Sequence, residues 1–498
     1  MPEVSPLLLA ILSVVAAVPT EALAAETPAA KARVLGSSFS GPPAPAPGSG
    51  LVVATDLEAG DPFAPLLAMA VRLLRPKKVL TFQRDDLSTV RAEMEALRPE
   101  YVLIVTSPET IDLTFHLGAT AFSMALDDDP FPDFLLGYLT GATPQEAIRF
   151  LEAGSRTRSR RSPRTFVEMD YGIASHLSPW RKPSWCPRMK GCRIVHADPK
   201  LLHENRGILE GAGILLLDGE GSPWGIDSGM DSVFLRDAAL RLHPAVLLSG
   251  ADRLGTVDYY YPDGVKARSR RIAPAESFCL AAIAREASAL VLPLGPGSQG
   301  LAEQELESLC VFGSSVGEAR KRVMDAAVTA SGLEDARDLL DTGAWEAPEK
   351  TPPLSRAFSR AVFGDPRFAP YPGGLSRDLV HVKVEKEEDS FQLSFVLLDP
   401  SRLRTFTEFF STKDPRDRVC FTVGIDVEEG EAIPSTLSVL DVKAGKRHPK
   451  IARLRAAWER RGQEILLHVE IVMTNLGGQR PFRDVSRVEG DLVLGQEK

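Results

Sequence analysis

Apolar and polar positions fall into two rhythms along this chain, one up to about residue 375 and another beyond it. In the first part, the apolar runs Leu51-Val52-Val53-Ala54, Val79-Leu80-Thr81-Phe82 and Tyr101-Val102-Leu103-Ile104-Val105 are separated by helical patterns over 63–74 and 87–97. Four or five apolar residues bounded by turn formers fit a strand buried on both faces, and their alternation with helices predicts a parallel sheet covered by helices. Two more runs, Ile214-Leu215-Leu216-Leu217 and Ala245-Val246-Leu247-Leu248, bracket a stretch holding Val233, Leu235, Leu240 and Leu242. That spacing predicts a βαβ crossover helix and two parallel neighbouring strands. A helix over 274–286, a strand over 289–292, a glycine-rich turn over 295–300 and a helix over 301–309 continue the series.

Beyond Gly374 the period shortens to two. Val380, Val382 and Val384 alternate with polar residues, as do Phe391, Leu393 and Phe395, then Phe421, Val423 and Ile425, then Ile465, Leu467, Val469 and Ile471. Strict alternation predicts an antiparallel sheet with one wet face, interrupted by a helix over 449–460. The expected fold class is therefore α/β, a two-part parallel-sheet core followed by a β-rich C-terminal domain. The expected division is a signal peptide over 1–24, a Pro/Ala/Gly-rich linker over 25–50, an α/β subdomain over 51–154, a basic linker over 155–164, a second α/β subdomain over 165–376 and the β-rich domain over 377–498.

Composition narrows the picture. At 498 residues, with 44% hydrophobic and 25% charged residues, the chain is long enough for two or three cores. A net charge of -9 argues against nucleic acid as a partner. The apolar stretch over 7–18, followed by Ala22-Leu23-Ala24, has the length of a secretory signal and predicts export to a periplasmic or extracellular location. No integral membrane segment is expected beyond that signal. Of the five cysteines, Cys186 and Cys192 lie in one proline- and glycine-rich loop and are expected to form a disulfide after export, while Cys279 sits among apolar neighbours as a packed thiol.

Candidate chemistry collects where two central strands end. The runs before Asp218 and Ser249 break at once into Asp218-Gly219-Glu220-Gly221-Ser222 and Ser249-Gly250-Ala251-Asp252. In an open parallel sheet, loops leaving the carboxyl ends of strands line the ligand crevice, so Glu220 and Asp252 are expected to converge at its mouth, with Arg253 as the nearest compensating charge. The cleft expected around them includes Gly219, Ser222, Trp224 and Ser249.

These loops carry a resemblance. Gly219-Glu220-Gly221-Ser222, followed by Trp224, is similar to the Gly-His-Gly-Ser loop of gingipain-type cysteine peptidases, which have a caspase-like fold. The segment Ser249 to Gly255 resembles the strand-end loop that holds their nucleophilic cysteine. The segments Asp129-Pro130-Phe131-Pro132-Asp133, Gly137-Tyr138-Leu139-Thr140-Gly141, Gly313-Ser314-Ser315-Val316-Gly317 and Phe363-Gly364-Asp365-Pro366 agree in order with the same family over roughly residues 50 to 375. The resemblance implies a thiolate nucleophile, a histidine that manages protons and an oxyanion site at the backbone N–H of Gly221. In this chain the histidine position is Glu220 and the cysteine position is Asp252. The expected function is accordingly an exported pseudoenzyme of the gingipain-like, caspase-fold type that binds a peptide or protein, with no cofactor and no metal. Two alternatives stay open: an active cysteine endopeptidase whose dyad lies elsewhere, and a metal-assisted hydrolase built on Glu220 and Asp252.

Overall fold

The computed structural model describes, with short breaks, residues 50–158, 165–169, 206–260, 270–339, 353–371, 380–398, 417–426, 436–461, 464–474 and 487–495, together with 32–33. Its centre is a nine-stranded sheet. In chain order the strands are β1 (Leu51–Thr55), β2 (Lys78–Thr81), β3 (Tyr101–Val105), β4 (Leu135–Leu139), β5 (Thr165–Met169), β6 (Ala212–Leu217), β7 (Val246–Ser249), β8 (Ala289–Pro293) and β9 (Arg360–Phe363). Their order across the sheet is β2-β1-β3-β4-β9-β8-β7-β6-β5. Pairing is parallel within β1 to β4 and within β5 to β8, while β9 lies between the two groups, antiparallel to β8 and joined to β4 through a parallel pairing of Phe363 with Tyr138. The apolar runs of β1, β3, β6, β7, β8 and β9 are buried at every position, as continuous hydrophobic strands require.

Ten helices cover or edge this sheet among the described residues that bear on the site: α1 (Ala64–Leu74), α2 (Arg91–Leu97), α3 (Leu113–Ser123), α4 (Pro144–Arg158), α5 (Arg206–Gly211), α6 (Ser232–Asp237), α7 (Phe278–Ala284), α8 (Gln299–Val311), α9 (Val316–Ser331) and α10 (Pro353–Phe358). α9 opens with a complete capping box, in which Ser315 Oγ accepts the Glu318 N–H and the Glu318 carboxylate accepts the Ser315 N–H. Helix α4 runs on to Arg158, so residues 155–158 of the expected basic linker are helical. The amphipathic pattern that starts at Pro144 carries the helix past the first arginines, which are good helix formers.

The strands predicted around the candidate site are parallel neighbours, with Val246 opposite Ile214 and Ser249 opposite Leu217. The crossover between them differs from expectation. Instead of one long helix, it begins with a small antiparallel sheet of Gly221–Ser222, Gly225–Ile226 and Met230–Asp231, and its helix α6 has only six residues, with Val233 left 62% exposed. Closely spaced glycines and Pro223 favour turns here over helix continuation.

The C-terminal strands are β10 (Val380–Glu387), β11 (Ser390–Leu398), β12 (Asp417–Asp426), β13 (Thr436–Ala444), β14 (Lys450–Arg461), β15 (Glu464–Thr474) and β16 (Arg487–Gly495). They form two antiparallel sheets, β10-β11-β16-β13 and β12-β15-β14, whose apolar faces share one cluster including Leu393, Phe395, Val423, Leu467, Ile471 and Leu492. The helix expected over 449–460 is strand β14, paired along β15 from Ile451 opposite Met473 to Arg461 opposite Glu464. Apolar spacing of three and four in Ile451, Leu454, Ala457 and Trp458 imitates a helix, but cross-strand pairing outweighs that local preference. The expected wet face is also absent from β15, where Leu466, His468, Glu470 and Val472 are as buried as the alternate residues because α9 packs on that side. Ala32–Arg33, within the expected linker over 25–50, pairs antiparallel with β12. Among the described residues no helix is long and apolar enough to cross a membrane. The expected signal over 1–24, the rest of the basic linker and the Cys186–Cys192 loop lie outside the described residues.

Candidate functional site

Three loops meet beyond the ends of β6, β7 and β8. The first leaves β6 through Gly219, whose φ of 136° is open to glycine and unfavourable to other residues. It then brings Gly221 hard against the second loop: a Cβ on Gly221 would lie 2.6 Å from Ala251 Cβ and 2.8 Å from the Asp252 carbonyl oxygen. The two loops therefore touch through backbone, as the strand pairing requires.

The carboxylates behave differently from one another. Glu220 is exposed, and its carbonyl accepts the Asp227 N–H at 3.1 Å. Asp252 is half-buried and its Oδ1 accepts the Gly297 N–H at 2.7 Å, which ties the β7 loop to the glycine-rich turn after β8. That turn sits so close that a Cβ on Gly297 would lie 2.0 Å from the Gly250 carbonyl oxygen. Two backbone bonds complete the junction, Arg253 N–H to the Gly295 carbonyl at 2.9 Å and Gly255 N–H to the Pro293 carbonyl at 2.8 Å. Arg253 itself adopts φ 57°, a left-handed conformation that costs a non-glycine residue about 1 kcal/mol. The glycine-rich turn thus serves as a seat for Asp252.

Both serines of the cleft spend their hydroxyls on local hydrogen bonds. Ser249 Oγ donates to the Leu217 carbonyl at 2.9 Å and accepts the Ala251 N–H at 3.0 Å, stitching β7 to β6 at their ends. Ser222 Oγ donates to the Gly225 carbonyl at 3.1 Å inside the small sheet. Trp224 is 40% exposed and meets Tyr260 edge to face at 5.5 Å between centroids, while its carbonyl accepts the Ser232 N–H. Behind the loop, Pro223 accepts the Phe278 N–H at the start of α7, and Ser277 Oγ caps that helix by accepting the Leu280 N–H while donating to Thr256. Cys279 is fully buried, and burial pushes its thiol well above its ordinary value.

Two polar groupings escaped the sequence reading. At the rim, Arg271 donates from Nε to Asp258 Oδ1 at 2.8 Å and from Nη2 to Glu109 Oε1 at 2.8 Å, linking the loop after β7 to the loop after β3. Asp258 is 1% exposed; burial raises its carboxyl above the usual range, Arg271 opposes that rise, and its second oxygen is buried without a hydrogen-bond partner among the described residues. Beneath the site, Arg360 is fully buried, donating from Nη1 to the Ser249 carbonyl at 2.8 Å and forming a forked pair with Glu305. Single charged residues separated by 13 to 162 positions leave no periodic signal, so only the fold reveals these pairs.

Among the described residues, one group of three side chains brings its donor atoms within 4.8 Å of one another: Asp325, Glu459 and His468. The Lys321 ammonium bridges its two carboxylates, 2.9 Å from Asp325 Oδ1 and 3.0 Å from Glu459 Oε2. Glu220 and Asp252 belong to no such group. A separate apolar crevice, lined by Leu74, Leu139, Phe150, Gly154, Ser288 and Phe368, lies away from the strand-end loops. Scanned against models of known families the chain matches none, and no curated protein is significantly similar to it.

Proposed function

We propose that this chain is a gingipain-like, caspase-type α/β protein whose strand-end crevice binds a peptide or protein segment without cleaving it. The observation that carries the reading is the bond from Gly297 N–H to Asp252 Oδ1. At the position where a gingipain-type peptidase carries its thiol, this chain has a carboxylate built into a loop junction. A carboxylate is a weak nucleophile toward an amide, and one engaged in holding a turn has a structural duty already. The histidine position is the exposed Glu220, and the thiols of Cys279 and Cys310 are buried.

Support for a binding role is the composition of the rim. Trp224, backed by the buried ring of Tyr260, and the half-buried Tyr259 supply aromatic surface, and Glu220, Arg271 and Glu109 supply charge, a mixture suited to side chains of an extended peptide. Export is part of the proposal and rests on residues 1–24.

The test uses the full chain against a fluorogenic peptide library and the same peptides immobilised for binding. We expect no turnover, and binding that falls at least tenfold in Trp224→Ala but is unchanged in Cys279→Ser. Turnover blocked by iodoacetamide and lost in Cys279→Ser would replace the proposal with a cysteine endopeptidase. Turnover lost on chelation and in both Glu220→Gln and Asp252→Asn would replace it with a metal-assisted hydrolase. Absence of binding to any peptide would remove the peptide-binding role.

A further inference from the structure

One side chain joins the rim of the crevice across the two halves of the sheet. Arg271 belongs to a short ladder in which Tyr259–Tyr260 pairs antiparallel with Arg270–Arg271, and its guanidinium stands 5.7 Å from the centre of the Tyr259 ring. Tyr260 in turn meets Trp224, so the rim runs from the small sheet through both tyrosines to Arg271. From there Nη2 donates to Glu109 Oε1 at 2.8 Å in the loop after β3, which closes the rim onto the first half of the sheet.

The two arms of Arg271 differ in kind. One runs from Nε to Asp258 Oδ1 at 2.8 Å, and because Asp258 is almost fully buried, withdrawing the guanidinium would strand a buried charge. The other joins Arg271 and Glu109 side chains that are 54% and 53% exposed, where water replaces the contact at little cost and salt screens it. Glu109 also faces Arg84 at 3.8 Å, and Asp112, the remaining charge close to Asp258, caps α3 by accepting the Phe115 N–H. The pieces that the exposed arm connects are held unequally. The loop after β3 is braced by Asp56, whose two oxygens accept the Thr106 and Thr110 hydroxyls at 2.5 and 2.7 Å. The ladder has two residue pairs and one bond from the Ile272 N–H to the Asp258 carbonyl at 2.8 Å. A break at Glu109 therefore loosens the ladder and leaves the loop in place.

We infer that Arg271 is a clasp on the crevice: anchored at Asp258, it holds the Tyr259–Tyr260 ladder against the first half of the sheet through Glu109, and parting of that one arm lets the ladder swing and admits a ligand. The inference rests on the reading that the crevice binds a peptide. With the arm made, the aromatic rim is fixed at both ends; with it parted, the segment carrying Tyr259 is held at Asp258 and Trp224 alone. Local opening of this kind draws on the least stable contacts of a fold, and an exposed ion pair is one of them.

The test is hydrogen exchange on the full chain without ligand, at salt concentrations of about 20 mM and about 500 mM, which leave the exposed arm intact and screen it respectively. In the unaltered protein, the amides of residues 270–272 should exchange roughly threefold faster at high salt, with β3 and residues 106–112 unchanged. Glu109→Ala should show the faster rate at both salt concentrations, again without change in 106–112. Arg84→Gln, which leaves the clasp whole, should match the unaltered chain. The same proteins then meet an immobilised uncharged peptide at low salt, where Glu109→Ala should associate roughly threefold faster and Arg84→Gln at the unaltered rate. No salt response at 270–272, or a Glu109→Ala effect confined to 106–112, would remove the clasp. A loosened ladder with unchanged association would remove its hold on entry. A chain that binds no peptide would remove the reading of function and the gate with it, while the exchange response would still decide the clasp by itself.

Discussion

Replacing Glu305 with leucine should expose how much the candidate site depends on a charge buried beneath it. Arg360 and Glu305 are both fully buried, and the guanidinium makes a forked pair with the carboxylate, donates to the Ser249 carbonyl at 2.8 Å, and lies 3.4 Å from the Val291 carbonyl. Glu305→Leu removes both carboxylate acceptors and leaves a guanidinium, which cannot shed its charge, with only backbone carbonyls. Breaking a buried pair from one side costs about 3–5 kcal/mol, because the surviving charge keeps its desolvation penalty. At roughly 2–4 °C per kcal/mol for a unit of this size, the melting temperature should fall by about 6–20 °C. Arg360→Met should also destabilise, since it strands the carboxylate and frees Ser249. The double variant, which removes both charges of the pair and leaves Arg320 as the buried cation beside it, should recover part of the loss, because apolar replacement of a whole buried pair is often neutral or stabilising by about 1–4 kcal/mol. Urea denaturation of the four proteins measures the coupling directly, with at least about 2 kcal/mol expected between the two positions. Additive losses, with the double variant as unstable as the sum of the singles, would refute the claim that the pair acts as a unit.

Other consequences are smaller and separately measurable. Asp133 is pushed up to about 7 by burial and by the neighbouring Asp127 and Asp129, so stability should fall as pH rises from the unfolded carboxyl range to about 7; Asp133→Asn, which still accepts the Leu126 N–H, should gain about 1–2 kcal/mol in urea melts at pH 8 and little at pH 4, a figure reduced for partial exposure. Ser277→Ala loses the cap of α7 and a bond to Thr256, and should cost about 1–2 kcal/mol; a loss below a few tenths would show that the cap is dispensable. Gly221→Ala places a methyl 2.6 Å from Ala251 Cβ and should cost on the order of 1–3 kcal/mol while weakening peptide binding, whereas unchanged melting would mean the two loops part easily. Under the proposed export, peptide mapping without reductant of protein taken from its native compartment should find Cys186 joined to Cys192; two free thiols there would count against the expected ring.

The sheet strands were legible in the sequence because burial on both faces demands uninterrupted apolar runs, and β1, β3, β6, β7 and β8 meet that demand within a residue or two of the predicted ends. The parallel pairing of β6 with β7 followed from the length between them, and the alternation in β10, β11 and β12 announced antiparallel sheets. What the sequence could not show was anything whose cause lies far along the chain. Strand β14 has helical spacing and becomes a strand because β15 offers it eleven residues of pairing partner. The inner face of β15 looked wet because His468 and Glu470 are polar, and it is dry because α9, some 140 residues earlier, covers it and supplies Lys321 to Glu459. Asp252 was placed at the crevice by local pattern, yet its duty was decided by Gly297, whose approach to Gly250 only the packed sheet brings about. Period and burial are local properties that a strand or helix writes into its own residues; the partner of a buried charge is set by which elements the whole fold lays side by side.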